Sequence, residues 1–388
     1  MHPSLSLPGY DRSLSRYVLT GMPPALPANP PRFNRQAYAA AHVVSDPFAE
    51  RTPWGTAAID WDATLAFRHH LWSLGFSIAE AMDTAQRGMG VSWDQAAELI
   101  RRSVAEAKTV PGAGIACGAG TDHLDPALAR SLDDVIGAYE TQFEVVESCG
   151  GSAILMASRA LARLARSADD YRTVYGRILS QARQPVILHW LGDMFDPQLA
   201  GYWGPDRFDD ALETVLSIIN DHQGKVVGIK ISLLEADKEI ALRNRLPDGV
   251  VCFTGDDFNY AEMIEGDAKG HSHALLGIFD AIAPNASDAL AALARDDTAA
   301  FRTILAPTVP LSRKIFEAPT QYYKAGIVFL AWLNGHQSHF TMPAGMQSAR
   351  GIVHYSEIVK LADQANVLTR PELAAQRMTA LLATAGIS

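Results

Sequence analysis

The sequence predicts an α/β fold: a (β/α)8 TIM barrel with a C-terminal helical extension and an irregular N-terminal arm. Three observations carry this reading. Eight short apolar, strand-like runs recur between residues 37 and 279. Amphipathic segments separate most of them, as expected where parallel strands are joined by crossover helices. After residue 285 the chain reads as helix alone. A doubly wound open sheet is the rival, but no glycine-rich dinucleotide or phosphate loop follows the first strand. The expected divisions are an arm over 1–36, the barrel over 37–284 and a helical region over 285–388.

The elements follow in order. "GMPPALPANPPRF" is too proline-rich for a helix or a central strand, so residues 1–35 are expected as an arm over the surface or over a partner subunit. "AYAAAHVV" (37–44) is the first strand, and the helical "IDWDATLAFRHHLWSLG" (59–75) ends in glycine. "FSIAEAM" (76–82) is the second. In "SWDQAAELIRRSVAEAK" (92–108), Ser92 and Gln95 have capping-box spacing and Ala96, Leu99, Ile100 and Val104 form one stripe. "AGIACGAG" (113–120), "SAILMAS" (152–158) and "PVILHW" (185–190) are the next strands, each before a helical run. "VVGIKIS" (226–232), "VVCFTG" (250–255) and "HALLGIF" (273–279) complete the eight. "YWG" and "FDDALE", after the fifth strand, are expected to form part of a lid or rim.

Composition narrows the function. The 388 residues carry a formal charge of −10 and no basic tract, which argues against nucleic acid as a partner. No apolar run reaches the roughly 18–20 residues that span a bilayer, so no membrane partner is expected. Cys117, Cys149 and Cys252 are odd in number and far apart, which fits a reducing compartment, and the N-terminus lacks the pattern of a secretory signal. A cytoplasmic protein is the expectation.

The stretch "KVVGIKIS" (225–232) holds the leading candidate. Alternation on a strand puts Val227, Ile229 and Ile231 on one face and Gly228, Lys230 and Ser232 on the other. If the first face meets the helices, Lys230 points into the barrel near a strand C-terminus, where barrel enzymes keep their catalytic groups. Gly228 is expected to leave open space beside it. Desolvation there favours the neutral amine, which can attack a carbonyl and form a Schiff base. The alternative is a solvated lysine on an edge strand.

With these residues in view, the chain resembles the dihydrodipicolinate synthase / N-acetylneuraminate lyase superfamily, in an uncharacterised dihydrodipicolinate-synthase-like branch. The resemblance runs in order over about residues 37–335. "VVSDPF", "DTAQRGMGVSWDQAAELIRRSVAEA", "IACGAGTD", "QPVILHW", "VVGIKIS", "FTGDD" and "APTQYYKAGIVFLAWLNG" match successive family segments. It implies a TIM barrel, a Schiff base at Lys230 and assembly as a homo-oligomer, dimer or tetramer. "FTGDD", where the family has Ser-Gly-Asp-Asp, places Thr254, Asp256 and Asp257 among the substrate-binding residues. The departures are informative. Thr84 matches the first threonine of the family's pair, but the second is Ala85 and the preceding glycine is Asp83. That segment binds a pyruvate carboxylate in the family, and an aspartate at its edge would repel an anion and suit hydroxyls. The tyrosine expected after the fourth strand is missing, with Ser158 and Arg159 at about that place and His189 on the fifth strand.

The reading is a lysine-dependent lyase, aldolase or dehydratase for a keto sugar or sugar-derived keto acid, needing no cofactor. Lys230 is the nucleophile, and His189, Asp83 or Ser158 moves protons. Thr84, Arg159, Thr254, Asp256 and Asp257 hold the small carbonyl substrate. His42 is expected in the core, and Arg68, His69 and His70 at a surface or interface. The pair His271 and His273 has a spacing that can bind metal. It supports the alternative of a metal-dependent sugar isomerase or hydrolase using His189 as well. A non-catalytic sugar-binding barrel is the third reading.

Overall fold

The computed structural model describes residues 2–50, 55, 57–204 and 207–387. The arm opens with a feature its composition hid. Strands β1 (Ser4–Pro8) and β2 (Leu14–Val18) form an antiparallel hairpin, so the expectation of a wholly irregular arm is corrected. Leu5 and Leu7 alternate with exposed serines and are buried, a period-2 pattern that lets one face pack. The proline-rich stretch that follows is irregular as expected.

Eight parallel strands then close a barrel. They are β3 (Ala37–Ala40), β4 (Ser77–Glu80), β5 (Ile115–Ala119) and β6 (Ser152–Leu155), then β7 (Val186–Leu191), β8 (Val226–Ser232), β9 (Val251–Thr254) and β10 (His273–Leu276). Each strand pairs with its sequence neighbours, and β10 closes on β3. The outer ring comprises α1 (Trp61–Ser73), α2 (Trp93–Ala107), α3 (Leu132–Ser148), α4 (Arg159–Leu164) and α5 (Ala168–Gln181). It continues with α6 (Phe208–Asp221), α7 (Ala236–Arg243), α8 (Tyr260–Glu265), α9 (Ile278–Ala281) and α10 (Ala283–Leu293). Helix α10 spans position 284, where the barrel was expected to end. The C-terminal region adds α11 (Thr298–Leu305), α12 (Thr308–Ile315), α13 (Lys324–Leu333), α14 (Ile352–Gln364) and α15 (Pro371–Thr384). Among the described residues, no helix is long and apolar enough to cross a membrane.

Local chemistry explains why the segments fold this way. Ser92 and Gln95 form the expected capping box on α2, which buries Ala96, Leu99, Ile100 and Val104 against the sheet. Such a cap contributes about 1 kcal/mol. Inside the barrel, Ala40, Ala79 and Ala116 line three adjacent strands, leaving width that Ile154, Ile187, Phe253 and Leu275 fill. Ile229 and Ile231 face the helices as predicted. Val227 does not. The β7–β8 register shifts between Val186 and Ile187, which makes Val227 the extra residue of a bulge and turns it inward. The space expected beside Gly228 is also filled: a Cβ there would lie 2.6 Å from the Phe253 ring. Nor is the "YWG" segment a lid. Tyr202 and Trp203 are buried against Tyr171 and Tyr175 of α5, while Pro205 and Asp206 lie outside the described residues.

Candidate active site

Lys230 sits two residues before the C-terminal end of β8. Its register partners are His189 on β7 and Phe253 on β9. Partners on parallel strands share a face, and with Phe253 and Ile187 in the barrel interior this turns Lys230 and His189 inward. Gly255 makes room: a Cβ there would meet Ser232 Oγ at 2.1 Å and Lys230 Cε at 2.6 Å. Lys230 is only 7% exposed, and among the described residues it makes no hydrogen bond and no ion pair. Burial lowers its pKa, against the pull of Asp257 and Asp83. The structure thus holds an amine with little to stabilise its charge.

The facing carboxyl is tuned the other way. Burial raises the Asp257 pKa to about 7, although Oδ1 accepts the Ile278 N–H at 2.9 Å and Lys230 lies nearby. His189 is fully buried, and burial together with Lys230 pushes its pKa well below the ordinary value. Its Nε2 meets Ser232 Oγ at 3.2 Å, and its Nδ1 has no partner among the described residues. A neutral imidazole beside an amine is the result.

Asp83 and Thr84 are presented by a short 3-10 turn, Asp83–Ala85, after β4. A buried ion pair fixes that turn. Glu80 accepts both the Arg68 guanidinium, at 2.8 and 2.9 Å, and the Ala81 N–H at 2.8 Å. Ala81 adopts φ +53°, a left-handed conformation that costs about 1–3 kcal/mol unless its surroundings hold it. Arg68 also donates to the His42 and Thr64 carbonyls, tying the end of β3 to α1. Arg68 therefore belongs to the core, and its expected surface placement is corrected. His69 and His70 are both partly exposed, His69 with Nε2 at 2.7 Å from Glu106.

Thr84 meets a residue that the sequence reading passed over. Its hydroxyl shares a 2.8 Å hydrogen bond with Tyr323, a buried phenol stacked on Phe316 just before α13. Burial, followed by the charge of Asp83, raises the Tyr323 pKa well above its usual value. Next to it, Lys324 is buried and donates to the Gln321 carbonyl at 3.0 Å and Met89 Sδ at 3.3 Å. Burial lowers its pKa to about 8. The C-terminal region thus supplies a wall of the site. A tyrosine and a lysine inside the apolar run "QYYKAGIVFL" were the available signal.

A cavity of about 80 Å³ opens between the ends of β4, β5, β6 and β7. Asp83, Arg87, Asp122, Arg159, His189 and Asp196 contribute its polar lining. Arg159 donates from Nε to Asp196 at 2.5 Å. Ser158 caps α4 and shares a 2.6 Å hydrogen bond with Thr121, and its N–H donates to the Tyr202 hydroxyl. It supports the wall more than it faces the cavity.

Other expected residues lie elsewhere. Thr254 points to the helix layer, where it donates to Glu239 at 2.9 Å, so its placement among substrate-binding side chains is corrected. Asp256 accepts the Phe258 and Asn259 N–H groups and the Asn259 amide, holding its own turn. His42 is buried as expected, with Nδ1 at 2.8 Å from Asp280 and its ring against Phe67. The metal-dependent alternative needs His189, His271 and His273 to converge. His271 and His273 instead stand at the N-terminal end of β10, where His273 Nδ1 accepts the Gln36 N–H, while His189 is near the C-terminal end of β7. Burial lowers the His273 pKa to about 4.

The architecture has solved counterparts. A dihydrodipicolinate synthase from Aquifex aeolicus is 12% identical with a TM-score of 0.63, over 87% of this chain and 99% of its own. The Oceanobacillus iheyensis enzyme is 14% identical, with TM-score 0.62 over 86% and 97%. The chloride-inhibited Acinetobacter baumannii enzyme, solved with pyruvate, is 15% identical, with TM-score 0.59 over 86% and 99%. At these identities the likeness is one of fold, and it meets the barrel expected from the ordered motifs. No curated protein sequence matches the chain. A family model spans residues 5–387, so the chain belongs to the family described as "Protein of unknown function (DUF993)", on the fold of the dihydrodipicolinate synthases.

Proposed function

We propose that the protein is a class I, Schiff-base-forming lyase or aldolase, or a dehydratase sharing the same intermediate. Its substrate is a small polyhydroxylated carbonyl compound. One observation carries the reading: an inward lysine at a strand C-terminus, buried and without a partner among the described residues, beside a carboxyl whose pKa is about 7. The neutral Lys230 amine attacks the carbonyl carbon, and the oxygen takes up a proton. Loss of water leaves an iminium. In cleavage, the β-hydroxyl loses its proton and the iminium draws in the Cα–Cβ bonding pair, giving an aldehyde and an enamine. In dehydration, the iminium instead loses a Cα proton and the resulting enamine expels the β-hydroxyl, protonated, as water. Protonation and hydrolysis then release product and restore the amine.

The neighbours suit the proton steps. Asp257 is half-protonated near neutrality, which suits exchange with the departing oxygen. The hydrogen-bonded pair of Tyr323 and Thr84 stands where a phenol can deliver a proton to the substrate, with Asp83 beside it. His189, kept neutral, is a weak base and is better fitted to hydrogen-bond a substrate hydroxyl through Nδ1. Arg159 and Asp83 hold further hydroxyls from the cavity wall. A cytoplasmic setting and assembly as a dimer or tetramer belong to the same proposal. The free thiols Cys117, Cys149 and Cys252 suit the former, and sedimentation tests the latter. The decisive experiment is borohydride reduction with a small carbonyl compound, followed by peptide mass spectrometry. A reduced adduct on Lys230 is the expected result, and an adduct on other lysines only would overturn the mechanism.

A further inference from the structure

Lys230 does not itself line the cavity, but its register neighbour His189 and the Asp83 carboxyl that acts on it do, so the charges there bear on what kind of carbonyl compound fits. Three carboxylates face two guanidiniums there: Asp83, Asp122 and Asp196 against Arg87 and Arg159. Each cation already carries a carboxylate counter-charge. Arg87 is buried and spends Nε and one terminal nitrogen on Asp122, at 2.7–3.1 Å. The same terminal nitrogen reaches Gln142, and the other donates to the Gly118 carbonyl at 2.7 Å and the Ala81 carbonyl at 3.4 Å. Arg159 is charge-paired with Asp196. Lys324 is committed to Gln321 and Met89.

Two backbone N–H groups of the neighbouring turn are spent as well. In the turn carrying Asp83, the Ala85 N–H donates to the Met82 carbonyl and the Gln86 N–H to the Asp83 carbonyl. The Thr84 hydroxyl is occupied by Tyr323. A substrate carboxylate in the cavity would therefore meet Asp83 while both lining guanidiniums are already neutralised by carboxylates. Hydroxyl groups face no such conflict. They donate to the spare lone pairs of Asp83 and Asp196 and accept from the terminal N–H groups of Arg159.

We propose that the site takes an uncharged, short-chain polyhydroxylated ketone or aldehyde and discriminates against 2-keto acids. This rests on the imine reading above and adds the substrate class. The test compares D-erythrulose, a neutral hydroxyketone, with pyruvate in cyanoborohydride trapping on the intact protein. Each rate is normalised to the same compound's reaction with N-acetyl-lysine amide. Normalised labelling of Lys230 by erythrulose should exceed that by pyruvate about tenfold or more, and Asp83→Asn should narrow the ratio. Equal or faster labelling by pyruvate overturns the substrate class and leaves the imine intact. If neither compound labels Lys230, the imine reading fails, and thermal denaturation decides the class. Stabilisation by erythrulose and not by pyruvate upholds it. Stabilisation by pyruvate to the same degree, or by neither, overturns it.

Discussion

Arg68 and Lys230 are both cations buried at the C-terminal ends of barrel strands, yet the fold treats them in opposite ways. Arg68 is surrounded by acceptors: Glu80 twice, and the carbonyls of His42 and Thr64. Lys230 has none among the described residues, and the carboxyl that acts on it most strongly, Asp257, is itself pushed toward neutrality. Removing a cation from water is costly and is compensated by pairing in the first case only. Burial alone therefore says little about function. A buried charge whose hydrogen bonds are all made holds the scaffold together, whereas one left unpaired is free to react.

That contrast is sharpened first by Lys230→Met. The change keeps the side-chain length and should abolish carbonyl trapping and turnover, with a thermal midpoint equal to or above the parent's. Turnover retained in this variant would erase the distinction. Arg68→Met should do the reverse by leaving Glu80 buried and unpaired, at a cost of about 3–5 kcal/mol in urea unfolding. Tyr323→Phe comes next. It removes one hydrogen bond, worth about 1 kcal/mol of stability, but turnover should fall about 100-fold if the phenol moves a proton. A loss within twofold would assign Tyr323 to packing.

The smallest effect is one of pH. Asp257 has a folded-state pKa raised from 3.8 to about 7. Its proton-linked contribution to stability is fully present below pH 3.8 and is lost as pH rises through 7. Asp257→Asn should therefore lose less stability than the parent between about pH 5 and pH 8, by roughly 1–3 kcal/mol, read from urea midpoints. The Glu80 carboxyl has the opposite sign, since its pKa is lowered from 4.5, and it is already ionised throughout that window.

What could be read from the chain follows from how local each signal is. Strand alternation carries the direction of Lys230 because it depends only on adjacent residues. It fails at Val227, since a bulge is set by the neighbouring strand. The space beside Gly228 failed likewise, as Phe253 reaches it from β9. Thr84 was legible, but its partner Tyr323 lies 239 residues away, and no local pattern announces that hydrogen bond. Thr254 and Asp257 both follow from the motif "FTGDD". Only the closed barrel reveals that one turns to the helices and the other toward the amine. The alternation in "SLSLP" is a local signal of β1, but its antiparallel pairing with β2 depends on a turn that the downstream prolines say nothing about.

The two ends of the chain are fastened together. Tyr17, Thr20 and Gly21 donate to the Asp363 carboxylate, and Met22 donates to Asn366. Partners more than 340 residues apart cannot meet until the chain between them exists. During synthesis the leading segment must wait, undocked, for α14 to emerge. The wall bearing Tyr323 is likewise made after every strand of the barrel, so a nascent barrel can close before it is equipped to react.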